Sequence, residues 1–268
     1  MIETQDDQSK DGLRPQQGPL FTPADIEAAA RACNFSKGMG PDGFDGAILM
    51  RNEDLMRKVT QDLAIALNAG YIPDHLKVSR VIPLSKRKSS AIASLDEIRT
   101  IAVGSHLMRI IEKAILGKLT ETKSTLLDTK DYQSGFRAGM GTSRNMTAFL
   151  ASGDEYKALI DLTRAFDFVD RQLLKRMLAS RCKNETDNRI AKLISCILTD
   201  SQYVMEDCPT IEVKHGVPQG GVLSPFLFNV YLEEAIFSNS TLRDLANKGK
   251  LLAYADDLAI AGNRETVS

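Results

Sequence analysis

Two successive aspartates close the tetrapeptide Tyr254-Ala255-Asp256-Asp257, which lies between the apolar runs Leu251-Leu252-Ala253 and Leu258-Ala259-Ile260-Ala261. The pattern predicts a hairpin with both carboxylates at its tip, stopped by Gly262. Charges placed there lose water and repel each other. A divalent cation relieves both penalties, and hard oxygen ligands suit magnesium, with manganese as a substitute. Upstream, Lys157-Ala158-Leu159-Ile160-Asp161 reads as a short strand ending in a third carboxylate. A turn or helix-capping role is the plain alternative for Asp161. That alternative suits Asp167 and Asp170 better than a residue closing a Leu-Ile run. Between the two carboxylate segments lies the glycine-rich stretch Gly216-Val217-Pro218-Gln219-Gly220-Gly221-Val222-Leu223-Ser224-Pro225.

The elements that must position these groups are legible in outline. Thr22, Pro23 and Asp25 form a helix start. Leu55, Met56, Val59, Leu63, Ala66 and Leu67 make one helical stripe ended by Gly70. Val78 to Leu84 reads as a strand. Leu107, Ile110, Ile111, Ala114 and Ile115 mark another helix, and Thr186 to Thr199 a further one. Gln202 to Glu206 and Ile211 to His215 look like a hairpin, and Ser224-Pro225 repeats the cap-plus-proline start for a helix to about Phe237. Mixed helices and antiparallel strands argue for an α+β fold. Residues 1–21, polar and scattered with Gln, Asp, Gly and Pro, read as a disordered tail.

Composition narrows the classes. The net charge of the 268 residues is −1, low for a chain that must neutralise phosphates overall. Positive charge is local instead: Lys77, Arg80, Lys86, Arg87 and Lys88 fall in one stretch without an acid. The four cysteines, Cys33, Cys182, Cys196 and Cys208, have no paired spacing, which fits a reducing, intracellular compartment, with the nucleus left open. No stretch approaches the length of a membrane span, so no membrane partner is expected.

The ordered set of strand-end aspartate, glycine-rich turn and hairpin aspartate pair resembles the reverse transcriptases of non-LTR retrotransposons, with group II intron enzymes as near relatives. Weaker blocks match in order: Gly40-Pro41-Asp42-Gly43, Arg80-Val81-Ile82-Pro83-Leu84-Ser85-Lys86, Ile98-Arg99-Thr100-Ile101 and Gln133-Ser134-Gly135-Phe136-Arg137. The resemblance runs from about Phe35 to the last residue. It implies a right-hand polymerase with an antiparallel palm sheet. Fingers would occupy mainly residues 22–156 and about 180–215, and palm about 157–179 and 216–268. The family pattern continues past the aspartate pair with a lysine-bearing palm block, a primer-gripping hairpin and a helical thumb. None of these is present here, so the thumb is expected to be absent and the isolated chain to be a retroelement-derived fragment with little activity alone.

Residue roles follow from the resemblance. Asp161, Asp256 and Asp257 would be the catalytic carboxylates and metal ligands, with the Leu162 carbonyl completing the coordination of Mg2+ or Mn2+. Phe166 would lie under the sugar of a deoxynucleoside triphosphate and exclude a 2′-hydroxyl, or else serve only as core. Gln219 and Gly220 would meet the nucleotide, the alternative being an ordinary helix-leading loop. Lys86 and Arg99 resemble the cations that hold the triphosphate, with Lys88 as an alternative to Lys86. Thr100 stands where the family commonly has proline. Leu223, Ser224, Pro225 and Tyr254 would touch template or primer. Arg137 and Arg144 would line the template path or be solvated surface. The partners implied are an RNA template, a DNA primer and the rest of a retroelement polyprotein. An RNA-directed RNA polymerase and a non-catalytic nucleic-acid-binding remnant are the competing readings. Phe166, and Ala255 in place of glycine before the aspartate pair, disfavour the former.

Overall fold

Thr22 accepts the Asp25 backbone N–H while the Asp25 carboxylate receives the Thr22 N–H at 2.7 Å. The first helix, α1 (Pro23–Arg31), therefore starts on a closed capping box with proline in its first turn. The computed structural model describes residues 18–36, 38–86 and 97–264. Most of the expected tail lies outside them, but its end needs correcting. Phe21 is fully buried, and its N–H and that of Leu20 both donate to Asn68 Oδ1. The anchored chain therefore begins before Thr22.

Helix α2 (Glu53–Asn68) is capped by Asn52 and buries Met56, Leu63, Ala64 and Leu67. It stops at Gly70, whose φ of +72° glycine adopts without a Cβ penalty. Helix α3 (His106–Glu121) buries Ile110, Ile111, Ala114 and Ile115, and α1 packs against both α2 and α3. Between them, β1 (Val78–Ser85) and β2 (Ile98–Gly104) pair antiparallel from Ser79 opposite Gly104 to Ser85 opposite Ile98. Helix α4 (Thr142–Ala151) and strand β3 (Tyr156–Asp161) follow, then α5 (Arg171–Arg181) and α6 (Glu185–Leu198). The expected hairpin after α6 is shorter than its apolar pattern suggested: β4 (Gln202–Val204) and β5 (Ile211–Glu212) share only two paired positions. Helices α7 (Ser224–Ser238) and α8 (Ser240–Asn247) lead to β6 (Leu251–Tyr254) and β7 (Asp257–Gly262).

The strands form two sheets, β2-β1-β4-β5 and the wholly antiparallel β3-β7-β6. Mixed helices and largely antiparallel strands make the fold α+β. One hydrophobic core connects α1, α2 and α3 to α5, α6, α7 and the buried residues of β6 and β7. Arg171 ties the glycine-rich stretch into it. The guanidinium is almost wholly buried and donates to the carbonyls of Gly216, Leu198 and Val213. Those three bonds replace the water it loses. Among the described residues, no helix is long and apolar enough to cross a membrane.

Candidate functional site

Strand β7 lies in the middle of its sheet, so whatever its N-terminal end carries meets both neighbouring strands. Asp257 is paired with Asp161 of β3 on one side and with Tyr254 of β6 on the other. Ala255 and Asp256 are thus the two-residue tip of the β6–β7 hairpin. The Leu162 N–H donates to the Asp256 carbonyl at 3.3 Å, which draws the end of β3 onto that tip. Asp161, Leu162 and Asp256 together line one cleft of about 660 Å³, with the turn Thr163-Arg164-Ala165 along its floor. That space is within the range of small-ligand sites. Asp257, exposed like Asp161, lines an adjoining apolar groove with Tyr254, Met146, Phe149, Leu159 and Asp161 itself.

Among the described residues, no three His, Cys, Asp or Glu side chains are gathered tightly enough to hold a metal ion by themselves. Two carboxylates and a backbone carbonyl beside open space still fit magnesium, which keeps several waters and binds through one or two carboxylates plus substrate phosphates.

The same cleft also carries positive charge. Lys86 and Arg99 sit where β1 and β2 meet, both exposed, and the Lys86 N–H donates to the Glu97 carbonyl at 2.7 Å. Lys88 and Arg87 lie outside the described residues. Lys77, counted among the local cations, is buried and paired with Asp74 at 2.9 Å, so it is not free for phosphate. Phe166 also lines the cleft. It stacks on Phe228 with ring centroids 4.6 Å apart and meets Phe136 edge-on at 6.2 Å. The ring is therefore half core and half cleft wall.

The glycine-rich stretch lines the cleft as well. Gln219 donates from Nε2 to Asp167 Oδ1 at 3.0 Å, and its carbonyl accepts the Ala102 N–H of β2 at 2.9 Å. Gly220 has φ of +120°, and a Cβ there would meet the Ala102 carbonyl at 2.9 Å. The absent side chain thus serves a loop-to-strand approach within the protein. Beneath the loop, the buried Glu112 carboxylate accepts the Val222 N–H at 2.8 Å. Burial pushes its carboxyl up from 4.5 to about 7, against the opposing pull of that hydrogen bond and of Arg109.

Other expected contacts fall elsewhere. Leu223 is buried in the core, because it precedes the first turn of α7 with its side chain inward. Ser224 and Pro225 do line the cleft. Ser224, though, is inside the helix rather than its cap, and its hydroxyl donates to the Pro218 carbonyl at 2.6 Å. Arg137 is folded back onto the carbonyls of Lys130 and Gln133 beside Asp131, away from the cleft, because its guanidinium finds three acceptors close in sequence. Arg144 rests on the Met140 sulfur. Tyr254 faces the apolar groove. Four site residues escaped the sequence reading as such: Phe136, Asp167, Glu112 and Gln133. Phe136 and Gln133 lay in a recognised block, but their partners are distant in sequence and no local pattern marks them.

A family model described as reverse transcriptase (RNA-dependent DNA polymerase) matches residues 85–267, which hold both carboxylate segments and the glycine-rich stretch. The chain belongs to the reverse transcriptase family. Similar proteins include the probable RNA-directed DNA polymerase from transposon BS of Drosophila melanogaster, 25% identical over 88% of this chain and 27% of that protein. The RNA-directed DNA polymerase from mobile element jockey of the same fly is 25% identical over 87% of this chain and 26% of its own length. The Pol polyprotein from the type-1 retrotransposable element R2 of Popillia japonica is 26% identical over 85% and 33%. This reverse transcriptase chain thus spans about a quarter to a third of the length of these relatives. The resemblance to retrotransposon reverse transcriptases read from the motifs agrees with all three.

Proposed function

We propose that this reverse transcriptase domain adds deoxynucleotides to the 3′-hydroxyl of a DNA primer, directed by an RNA template. The observation that carries the reading is the convergence of Asp161, from a strand end, and Asp256, from a hairpin tip, on a cleft that Lys86 and Arg99 also line. Primer extension forms a bond from the 3′-oxygen to the α-phosphorus and breaks the α–β bridging bond. Pyrophosphate leaves and the hydroxyl proton passes to water. Divalent cations held by Asp161, Asp256 and the Leu162 carbonyl would stabilise the attacking and leaving oxygens.

The remaining residues bind and orient. Arg99 offers a planar fork to phosphate oxygens, and Lys86 a mobile point charge. Phe166, stacked on Phe228 and lining the cleft, would meet the sugar and exclude a 2′-hydroxyl, which selects the deoxy sugar. Gln219, fixed through Asp167 and Ala102, would contact the nucleotide in the cleft. Ser224 and Pro225 would lie against the template.

The test is single-nucleotide addition on an RNA template annealed to a labelled DNA primer, in magnesium or manganese, offering each deoxynucleotide alone. Addition of the nucleotide complementary to the template base supports the reading. Addition that ignores the template base, or no addition by any nucleotide, sinks it.

A further inference from the structure

Gln133 is fully buried, and every polar atom of its side chain is spent on backbone. Oε1 accepts the Gly135 N–H at 2.7 Å and the Ala255 N–H at 3.0 Å, while Nε2 donates to the Ala255 carbonyl at 3.1 Å. One amide therefore grips both polar groups of a residue 122 positions away. That residue is the first of the hairpin tip, and its φ is +57°, a conformation that alanine avoids and glycine takes freely. The neighbours of Gln133 extend the brace. Ser134 N–H and Asn145 Nδ2 both donate to the Ala253 carbonyl at 2.8 Å, and Ala253 N–H donates to the Tyr132 carbonyl at 2.6 Å. A Cβ on Gly135 would collide with the Ala255 backbone.

We infer that Gln133 is a positioning residue for Asp256: it holds Ala255 in the left-handed region and so fixes where the next carboxylate enters the cleft. An alanine left without those two hydrogen bonds relaxes toward negative φ, and a backbone turn at Ala255 swings the residue that follows it. The buried amide is well suited to the task because it supplies an acceptor to the N–H and a donor to the C=O of one residue, and because water cannot compete for either. The inference rests on the polymerase reading for its consequence in synthesis, but not for its structural content.

The experiment compares wild type with Gln133→Met, which keeps the length and removes all three bonds, and with Gln133→Met combined with Ala255→Gly. Three quantities are read: amide hydrogen exchange at residue 255, affinity for Mn2+ alone from the paramagnetic signal of the free ion, and kcat and KM for single-nucleotide addition. In Gln133→Met, exchange at Ala255 should rise at least tenfold and Mn2+ affinity fall about tenfold. kcat should fall at least tenfold, with KM for the deoxynucleotide within twofold. Glycine at 255 accepts positive φ unaided, so the double variant should recover most of the lost Mn2+ affinity. A loose hairpin with a merely structural Gln133 would not be rescued this way. Wild-type Mn2+ affinity in Gln133→Met, or no recovery in the double variant, overturns the inference. Should Gln133→Met not fold, Gln133→Asn decides, since it keeps a neutral amide but is one methylene too short to hold both groups of Ala255. Weakened Mn2+ binding supports the role, and unchanged binding contradicts it. A wild type that adds no nucleotide would overturn the polymerase reading alone, leaving the exchange and Mn2+ results to judge Gln133.

Discussion

Asp161 and Asp257 stand directly opposite one another in the β3–β7 ladder, two exposed carboxylates on adjoining strand ends with Asp256 at the neighbouring tip. Like charges in cross-strand register oppose pairing by roughly a few tenths of a kcal/mol. The fold tolerates that cost at a place where a cation would remove it. In metal-free buffer, Asp257→Asn should therefore raise the thermal midpoint slightly. With magnesium or manganese at a hundredfold excess over Kd, wild type should gain about 2.7 kcal/mol and Asp256→Asn much less. Thermal unfolding with chelator and with metal checks both. A lower midpoint for Asp257→Asn without metal, or a wild type indifferent to metal, would count against a shared cation.

Phe166 has two jobs that one substitution separates. Its stack on Phe228 and its place on the cleft wall mean that Phe166→Val should cost stability, on the order of 2 kcal/mol from lost ring packing. The same change should admit ribonucleotides. Denaturant unfolding reads the first effect, and paired deoxy- and ribonucleotide addition reads the second. Destabilisation with wild-type sugar discrimination would assign the ring to packing alone.

Glu112 gives the fold a pH dependence with a definite sign. Its folded pKa is raised from 4.5 to about 7 by burial. Between those values the folded protein holds a proton that the unfolded chain has released. Stability therefore falls as pH rises from about 4.5 to about 7 and levels off above that, by an amount on the order of 3 kcal/mol. Glu112→Gln keeps an oxygen for the Val222 N–H and has no charge to bury, so it should flatten this slope and be more stable than wild type at pH 8. Urea midpoints across pH 5 to 8 test it. An unchanged slope would mean that the slope does not come from Glu112.

The sequence disclosed what local chemistry encodes. The capping box at Thr22, the apolar stripes of α2 and α6, and the alternation around the aspartate pair all act over a few residues, and each appears as an element. What it withheld depends on contacts between distant segments. Gly220 reads as room for a ligand until Ala102 of β2 is found against it. Gln133 reads as one residue of a block until Ala255 arrives from the other end of the chain. Leu223 turns into the core for a related reason: which way a side chain points at a helix start is settled by the surrounding packing. Strand β3 is the converse. Leu159 and Ile160 resemble core, yet they are 75% and 40% exposed, because among the described elements none but β7 packs closely on β3.

The account turns on Asp161 and Asp256 serving one site, and single-nucleotide addition in manganese on an RNA template tests that most directly. Wild type, Asp161→Asn and Asp256→Asn are compared at matched folded concentration, verified by circular dichroism. The expected result is template-directed addition of a deoxynucleotide by wild type and a loss of at least a hundredfold in each variant. Addition by either variant at a rate near that of wild type would contradict the account.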